Sequence, residues 1–256
     1  MKMRLWGHVA LFAGASLLSA LVCPGAALAD TFTPGAFVTY GAASWFSDSG
    51  AQSNLDNNFD TVYGPNDVLM VGSSAPGFAI FFTSPSGVSN YVPSAGPAGA
   101  LTQTQANPST SSGDTTSGVF GGDVTALALD VDFSAAGFLG TSSTPFGNLL
   151  LTGLTGSVAG LNGMSVSNLL ALAEAELGGS STLYDFTDLD LLVAYVGIAF
   201  EPDTPLSFFA NDHLEFPNTD VSATPLPATF PLLATGLGAL GLFAGRRKRK
   251  AGSIVA

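Results

Sequence analysis

Every lysine and arginine of this 256-residue chain lies near one end or the other. Lys2 and Arg4 open it, Arg246, Arg247, Lys248, Arg249 and Lys250 nearly close it, and the stretch from Asp30 to Gly245 has neither. All nineteen acids fall between Asp30 and Asp220, so that stretch is formally −19, with one imidazole, His213, and no cysteine. No Lys–carboxylate or Arg–carboxylate pair can form there, and nothing there can grip a phosphate. Nucleic acid is thereby excluded as a partner. Disulfides are excluded as staples. Stability must come from an apolar core, for which a stretch of this length, in a chain of 46% hydrophobic content, is sufficient. So large a negative charge favours solubility and repels anionic surfaces unless divalent cations bridge them, which makes calcium the plausible ionic partner.

The two basic ends have different sequels. After Lys2 and Arg4 come an apolar run, Leu5 to Val22, and an A-x-A site at Ala27-Leu28-Ala29 before Asp30. That order reads as a secretory signal peptide over 1–29. Cys23 suggests a lipoprotein, but Val22 stands where a lipobox needs Gly, Ala or Ser. At the other end, Thr229 to Gly245 carries no charge. As a helix it would span roughly 25 Å against a hydrocarbon core of about 30 Å, a marginal transmembrane helix. The basic cluster 246–250 resists translocation and acts as the membrane stop, leaving everything upstream outside.

The order Pro225-Leu226-Pro227-Ala228, a glycine-rich apolar run, then Arg246 to Lys250 resembles the PEP-CTERM/VPLPA-CTERM sorting signal of Gram-negative bacteria. The likeness covers only the tail, and departs from the VPLPA form at Thr224 and from the PEP form at Leu226. It implies that an exosortase-type membrane protease recognises and removes the tail during export. It also implies an inner-membrane precursor, and then a place at the cell surface, in extracellular polysaccharide or in biofilm matrix. A permanent membrane anchor is the plainer alternative. Gly236, Gly238 and Gly241 favour sorting, because each glycine weakens a helix by about 1 kcal/mol. Gly241-x-x-x-Gly245 is a weak dimerisation motif. Leu226-Pro227-Ala228-Thr229 resembles the start of a sortase signal, but Phe230 occupies the position of the required glycine.

Within the body, Thr31 to Phe82 reads as β-rich, with buried strands at Val68–Val71 and Phe78–Phe82 forming a hairpin. Ser84-Pro85 opens a short helix to about Val92, and Ser94 to Gly118 reads as an exposed, mobile loop. From Val119 to Ala136, Asp130 to Phe133 alternates like a strand, whereas Phe120, Val124, Leu127 and Val131 make one helical stripe. Length favours the helix. Phe146–Thr152 reads as a buried strand. Three helices follow: one capped by Ser165 and stopped at Gly178-Gly179, one capped by Thr187 and running through Leu191, Leu192, Tyr195 and Ile198, and one opened by Thr204-Pro205. Segments Gly122–Phe133, Leu161–Met164 and Leu170–Ala173 loosely resemble an extracellular domain that occurs beside such tails, a likeness that brings no chemistry with it.

Catalytic constellations lack parts. His213 is the body's sole imidazole, no Gly-x-Ser-x-Gly occurs, and a helix C-terminus explains His213 adequately. Asp130 and Asp132 are weak calcium candidates if extended, and Asp56-Asn-Asn-Phe-Asp60 reads as a loop of oxygen donors, but neither has the spacing of an EF-hand loop. Asp188 and Asp190 share the first pair's spacing but fall at a helix start, where negative charge is favourable. Tyr40, Trp45, Tyr63 and Tyr91 are possible sugar-stacking groups, although aromatics in a β-rich segment more often belong to the core.

The expected protein is therefore α+β: a single extracellular domain over 30–220 with a short β-rich N-terminal part and several helices. A linker and sorting signal over 221–256 end in one transmembrane helix. The expected function is that of an exported, non-enzymatic surface or matrix protein without a cofactor. A calcium- or carbohydrate-binding adhesin and, further off, a secreted hydrolase are the rivals.

Overall fold

A computed structural model describes residues 32–64, 68–74, 76–109, 115–181, 183–202 and 207–217. The signal peptide with Ala27 and Ala29, the motif Pro225 to Ala228, the apolar run 229–245 and the basic stop Arg246 to Lys250 lie outside them.

Its centre is one helix, Gly118–Ala135, numbered α4 in chain order. Thirteen of its eighteen residues are buried, so other elements surround it. The stripe of Phe120, Val124, Leu127 and Val131 is buried, and so is the opposite side, with Ala126, Leu129 and Phe133. Helix wins over strand because a helix pairs its own backbone groups, whereas a strand at the centre of the core would need neighbours on both edges. Two glycines let other chain segments close on it. A Cβ on Gly122 would stand 2.6 Å from the Val92 carbonyl oxygen, and one on Gly121 would collide with the Tyr91 hydroxyl.

The first part of the domain departs from the sequence reading. It is helical: α1 is Ala42–Ser47 and α2 is Ser49–Tyr63. Asp48 caps α2 by accepting from the Ala51 amide at 2.8 Å, and Ala51, Leu55 and Phe59 form its buried stripe. The supposed donor loop Asp56–Asp60 is the middle of this helix. Its abundant Ser, Asn, Asp and Gln residues occupy the outer faces, where low helix propensity is overruled by a four-residue apolar period against the core.

The hairpin follows as expected from its turn chemistry, with β1 (Leu69–Gly72) antiparallel to β2 (Ala79–Phe82) and Leu69 opposite Phe82. Ser84 caps α3 (Pro85–Tyr91) through the Gly87 amide. Much of the segment read as a mobile loop is tied down. Gln105–Ala106 forms β3, parallel to β2, and the buried Leu101 donates its amide to the Leu177 carbonyl at 2.8 Å. The strand expected at 146–152 is mostly a 3-10 turn, Phe146–Asn148, leaving only β4 (Leu150–Leu151) paired to β5 (Leu214–Glu215).

Helix α5 (Val166–Leu177) has the expected Ser165 cap, and Gly179 past its end takes φ +73°. Helix α6 (Phe186–Gly197) is capped by Asp185 rather than Thr187, and α7 (Phe208–His213) by Ser207. The Thr204-Pro205 start signal lies outside the described residues. At one end of the core, Phe32, Phe37, Phe200 and Phe216 cluster, with Phe32 and Phe216 ring centres 5.2 Å apart. The first and last described segments are therefore neighbours.

The architecture is mixed helix and strand, but without the β-rich beginning. Among the described residues no helix is long and apolar enough to cross a membrane. The expected transmembrane helix is therefore no part of the described architecture, and the run 229–245 in which it was expected lies outside the described residues.

The tight seat of α4 gives a direct test. Gly122→Ala should lower stability by about 1–2 kcal/mol in urea unfolding, although alanine is the better helix former, because its methyl meets a backbone carbonyl that cannot swing away.

Candidate functional site

Two features gather the domain's polar chemistry: an open cleft beside α6, and a set of carboxyl groups around α4. The cleft encloses about 310 Å³ between the 3-10 segment Gly156–Leu161, α6 and α7. Its wall carries a parallel aromatic pair, Tyr195 and Phe209, with ring centres 5.8 Å apart and planes 13° from parallel. Tyr195 is 45% exposed and Leu191 52% exposed beside it. Helix α6 buries Leu189, Leu192, Val193 and Val196 and turns Leu191, Tyr195 and Ile198 outward. The helix is apolar on nearly all sides, so its inward face could not be chosen by periodicity alone.

Polar groups edge the cleft. Ser157 Oγ donates to Asp188 Oδ2 at 2.7 Å. His213 lies at the end of α7, as its helix-end reading required, and stacks obliquely on Phe209 at 5.0 Å. Its Nδ1 is 3.1 Å from the Thr152 carbonyl, which can only accept, so the neutral ring keeps its acceptor at Nε2. Gly153 makes room for this contact: its φ is +63°, and a Cβ there would stand 3.0 Å from the Asp212 carbonyl oxygen. A serine, an aspartate and a histidine thus share one cleft. Their bonds do not run in the order acyl transfer uses, because Ser157 is bonded to the carboxylate and His213 to a backbone carbonyl. As arranged, they can hold a ligand by stacking and by hydrogen bonds.

The carboxyl groups form the second feature. On a helix, Asp130 and Asp132 point in different directions, and each has its own protein partners. Asp130 is fully buried; its Oδ1 accepts from the Tyr40 amide at 2.9 Å and from Trp45 Nε1 at 3.1 Å, while Oδ2 has no partner. Burial pushes its pKa well above the carboxylate range, against the pull of those two bonds. Asp132 accepts from the Tyr63 hydroxyl at 3.0 Å, and burial raises it too. Tyr63 is raised by burial and then by Asp132, so its hydroxyl stays protonated. Glu174 on α5 is pushed up to about 7 by burial and by the Asp132 charge. Asp123 reaches about 7 through burial, then through the charge and hydrogen bond of Asp190, which burial also raises. Asp130 and Asp132 are not brought around one ion, and no group of three or more His, Cys, Asp or Glu stands in a metal-holding arrangement among the described residues.

The aromatic candidates from the sequence are likewise committed to packing. Trp45 and Tyr91 are fully buried, and Tyr40 and Tyr63 pack against the core. What the sequence reading missed is the Tyr195–Phe209 pair, Ser157 and the Asp123–Asp190 contact. The one available signal was the near-uniform apolarity of α6, which requires partners on more than one side.

Asp130→Ala should cost about 2–4 kcal/mol in denaturant unfolding followed by Trp45 fluorescence, because two buried donors lose their acceptor. Asp130→Asn keeps that acceptor and should stay within about 1 kcal/mol of the parent. Comparison with other proteins supplies no ligand for either feature: no family model matches the chain, and neither a curated protein nor a solved structure shows significant similarity to it.

Proposed function

We propose that this chain is an exported, non-enzymatic surface or matrix protein, delivered by a cleavable leader and released through a C-terminal sorting signal. The observation that carries the reading is the partition of charge. All the cations sit where a leader and a sorting tail would be discarded, and all the acids sit in the part that would remain. The tail supplies the ordered parts of the signal it resembles, Pro225 to Ala228, the glycine-rich apolar run and Arg246 to Lys250. An exosortase-like protease of the inner membrane is the processing partner. Extracellular polysaccharide is the destination, and the reading assigns neither a cofactor nor a catalytic residue.

Intact-mass measurement of protein recovered from the cell surface tests this at both ends. The expected species begins at Asp30 and lacks the cluster 246–250. Surface material that still carries those residues would leave a permanently anchored protein instead.

A second reading, carbohydrate binding, is favoured by the partly exposed Tyr195 stacked on Phe209 beside Asp188, Ser157 and His213. A sugar lays its C–H face on such a ring while its hydroxyls reach the carboxylate and the imidazole. Tyr195→Ala should then weaken retention on the producing cell's polysaccharide roughly tenfold without moving the unfolding midpoint. Unchanged retention would remove this reading and leave the first intact.

A further inference from the structure

The polar side chains that line the cleft between Gly156–Leu161, α6 and α7 are short of hydrogens to donate. Ser157 spends its hydroxyl hydrogen on Asp188 Oδ2 at 2.7 Å and keeps only lone pairs. Asp188 is an exposed carboxylate, which can only accept. His213 has Nδ1 3.1 Å from the Thr152 carbonyl, so its neutral ring offers the cleft a lone pair at Nε2. Only the hydroxyls of Thr155 and Tyr195 are free to act either way. No lysine or arginine between Asp30 and Gly245 can restore the balance.

Beside these acceptors stands a flat apolar platform. Tyr195 is 45% exposed and lies nearly parallel to Phe209, and the exposed Leu191 is next to it. A ligand that suits both parts has a C–H face for the ring and hydrogen-bond donors at its edge. A sugar that carries a carboxylate fails the second condition, since its charge would meet Asp188 with no cation between them. An N-acetylated amino sugar brings one neutral N–H. A free amine, protonated, brings three donors and the opposite charge, and its hydrogen bond to a carboxylate is roughly twice as strong as a neutral one. Such a cation is also attracted to the face of a tyrosine ring.

We propose that this cleft binds a free-amine hexosamine unit of a polysaccharide and rejects acidic sugars. The proposal rests on the carbohydrate-binding reading above and narrows its ligand. Tyr195 carries the sugar ring and Asp188 holds the ammonium, while His213 Nε2 and Ser157 Oγ accept from neighbouring hydroxyls. The volume of about 310 Å³ is at the small end of the roughly 300–1,000 Å³ of ligand clefts, which suits one unit of a longer chain. Long-range charge favours the same partner. A cationic polysaccharide is drawn to a stretch with nineteen acids and no lysine or arginine, whereas an acidic one is repelled.

Isothermal titration calorimetry of the full-length protein, in about 0.15 M sodium chloride so that diffuse attraction is screened, is the test. The probes are a short glucosamine oligomer, its fully N-acetylated counterpart, an oligogalacturonate, and a lysine oligomer matched in charge to the first. The glucosamine oligomer should bind about tenfold more tightly than the acetylated one, and the oligogalacturonate should not bind. Asp188→Asn should bring the two amino-sugar oligomers level, and Tyr195→Ala should weaken both about tenfold, with the thermal midpoint checked for each variant. The oligomer series on the parent decides the question even if a variant does not fold. Equal binding of the free-amine and acetylated oligomers would overturn the amine assignment and leave the carbohydrate reading standing. Binding of neither would overturn the proposal, and retention on the producing cell's polysaccharide would then judge that reading separately. A lysine oligomer that binds as tightly as glucosamine, and is indifferent to Tyr195→Ala, would assign the effect to overall charge and overturn the site.

Discussion

A helix enclosed on all sides, in a domain without a single lysine or arginine, must find some other way to settle its acids. An ionised carboxylate left alone in the core is far too unfavourable to persist, so each acid is either protonated or met by neutral donors. Asp130 takes a backbone amide and an indole N–H, Asp132 takes a phenol, and burial raises Asp123 on the same helix. Those partners come from the segment before α1, from α1 itself and from α2. The polar contacts of α4 therefore place the very helices that its apolar faces pack against. Hydrogen bonding and packing select the same arrangement, which is the consistency expected of a sequence with one native state.

Where the sequence carried local punctuation, the fold was legible. Ser84 before Pro85 and Ser165 before Val166 cap the helices they announce, and the glycines after Leu177 end one. The hairpin 69–82 followed from two apolar runs around turn residues. Helix α2 was missed because Ser, Asn and Asp dominate its composition, and composition hid the Ala51–Leu55–Phe59 period and the Asp48 cap. The stretch 146–152 was read as a strand because a short apolar run has no period to tell a buried 3-10 turn from a strand. In each failure, tertiary packing decided what local propensity left open.

The candidate sites were much less legible, and for a different reason. Ser157 and Asp188 are thirty-one residues apart, and Asp123 and Asp190 are on helices separated by α5. No local pattern encodes such meetings. His213 was singled out only as the body's lone imidazole, and its setting depends on Gly153, whose positive φ brings the Thr152 carbonyl against the ring. Asp130 and Asp132 attracted attention by their spacing, yet that same spacing on a helix sends them to separate partners. The pairing of Asp130 with Asp132 assumed extended backbone, and on the helix 118–135 residues two apart point to different sides.

The formal charge of −19 therefore overstates what the domain presents to its surroundings at neutral pH. Burial raises Asp130 well above the ordinary carboxyl value, and it raises Asp123, Asp190 and Glu174 as well. The outward charge is carried by other acids, such as Asp56 and Asp60 on the exposed face of α2, where water screens them and packing does not depend on them. Solubility and core stability are thus governed by two separate sets of acids. The exposed set can vary its charge with little effect on the fold, whereas the buried set ties the fold to pH. A lysine introduced beside the exposed set would change only the surface potential. The same lysine beside Asp123 would set a permanent countercharge against a carboxyl that burial now holds above its ordinary range.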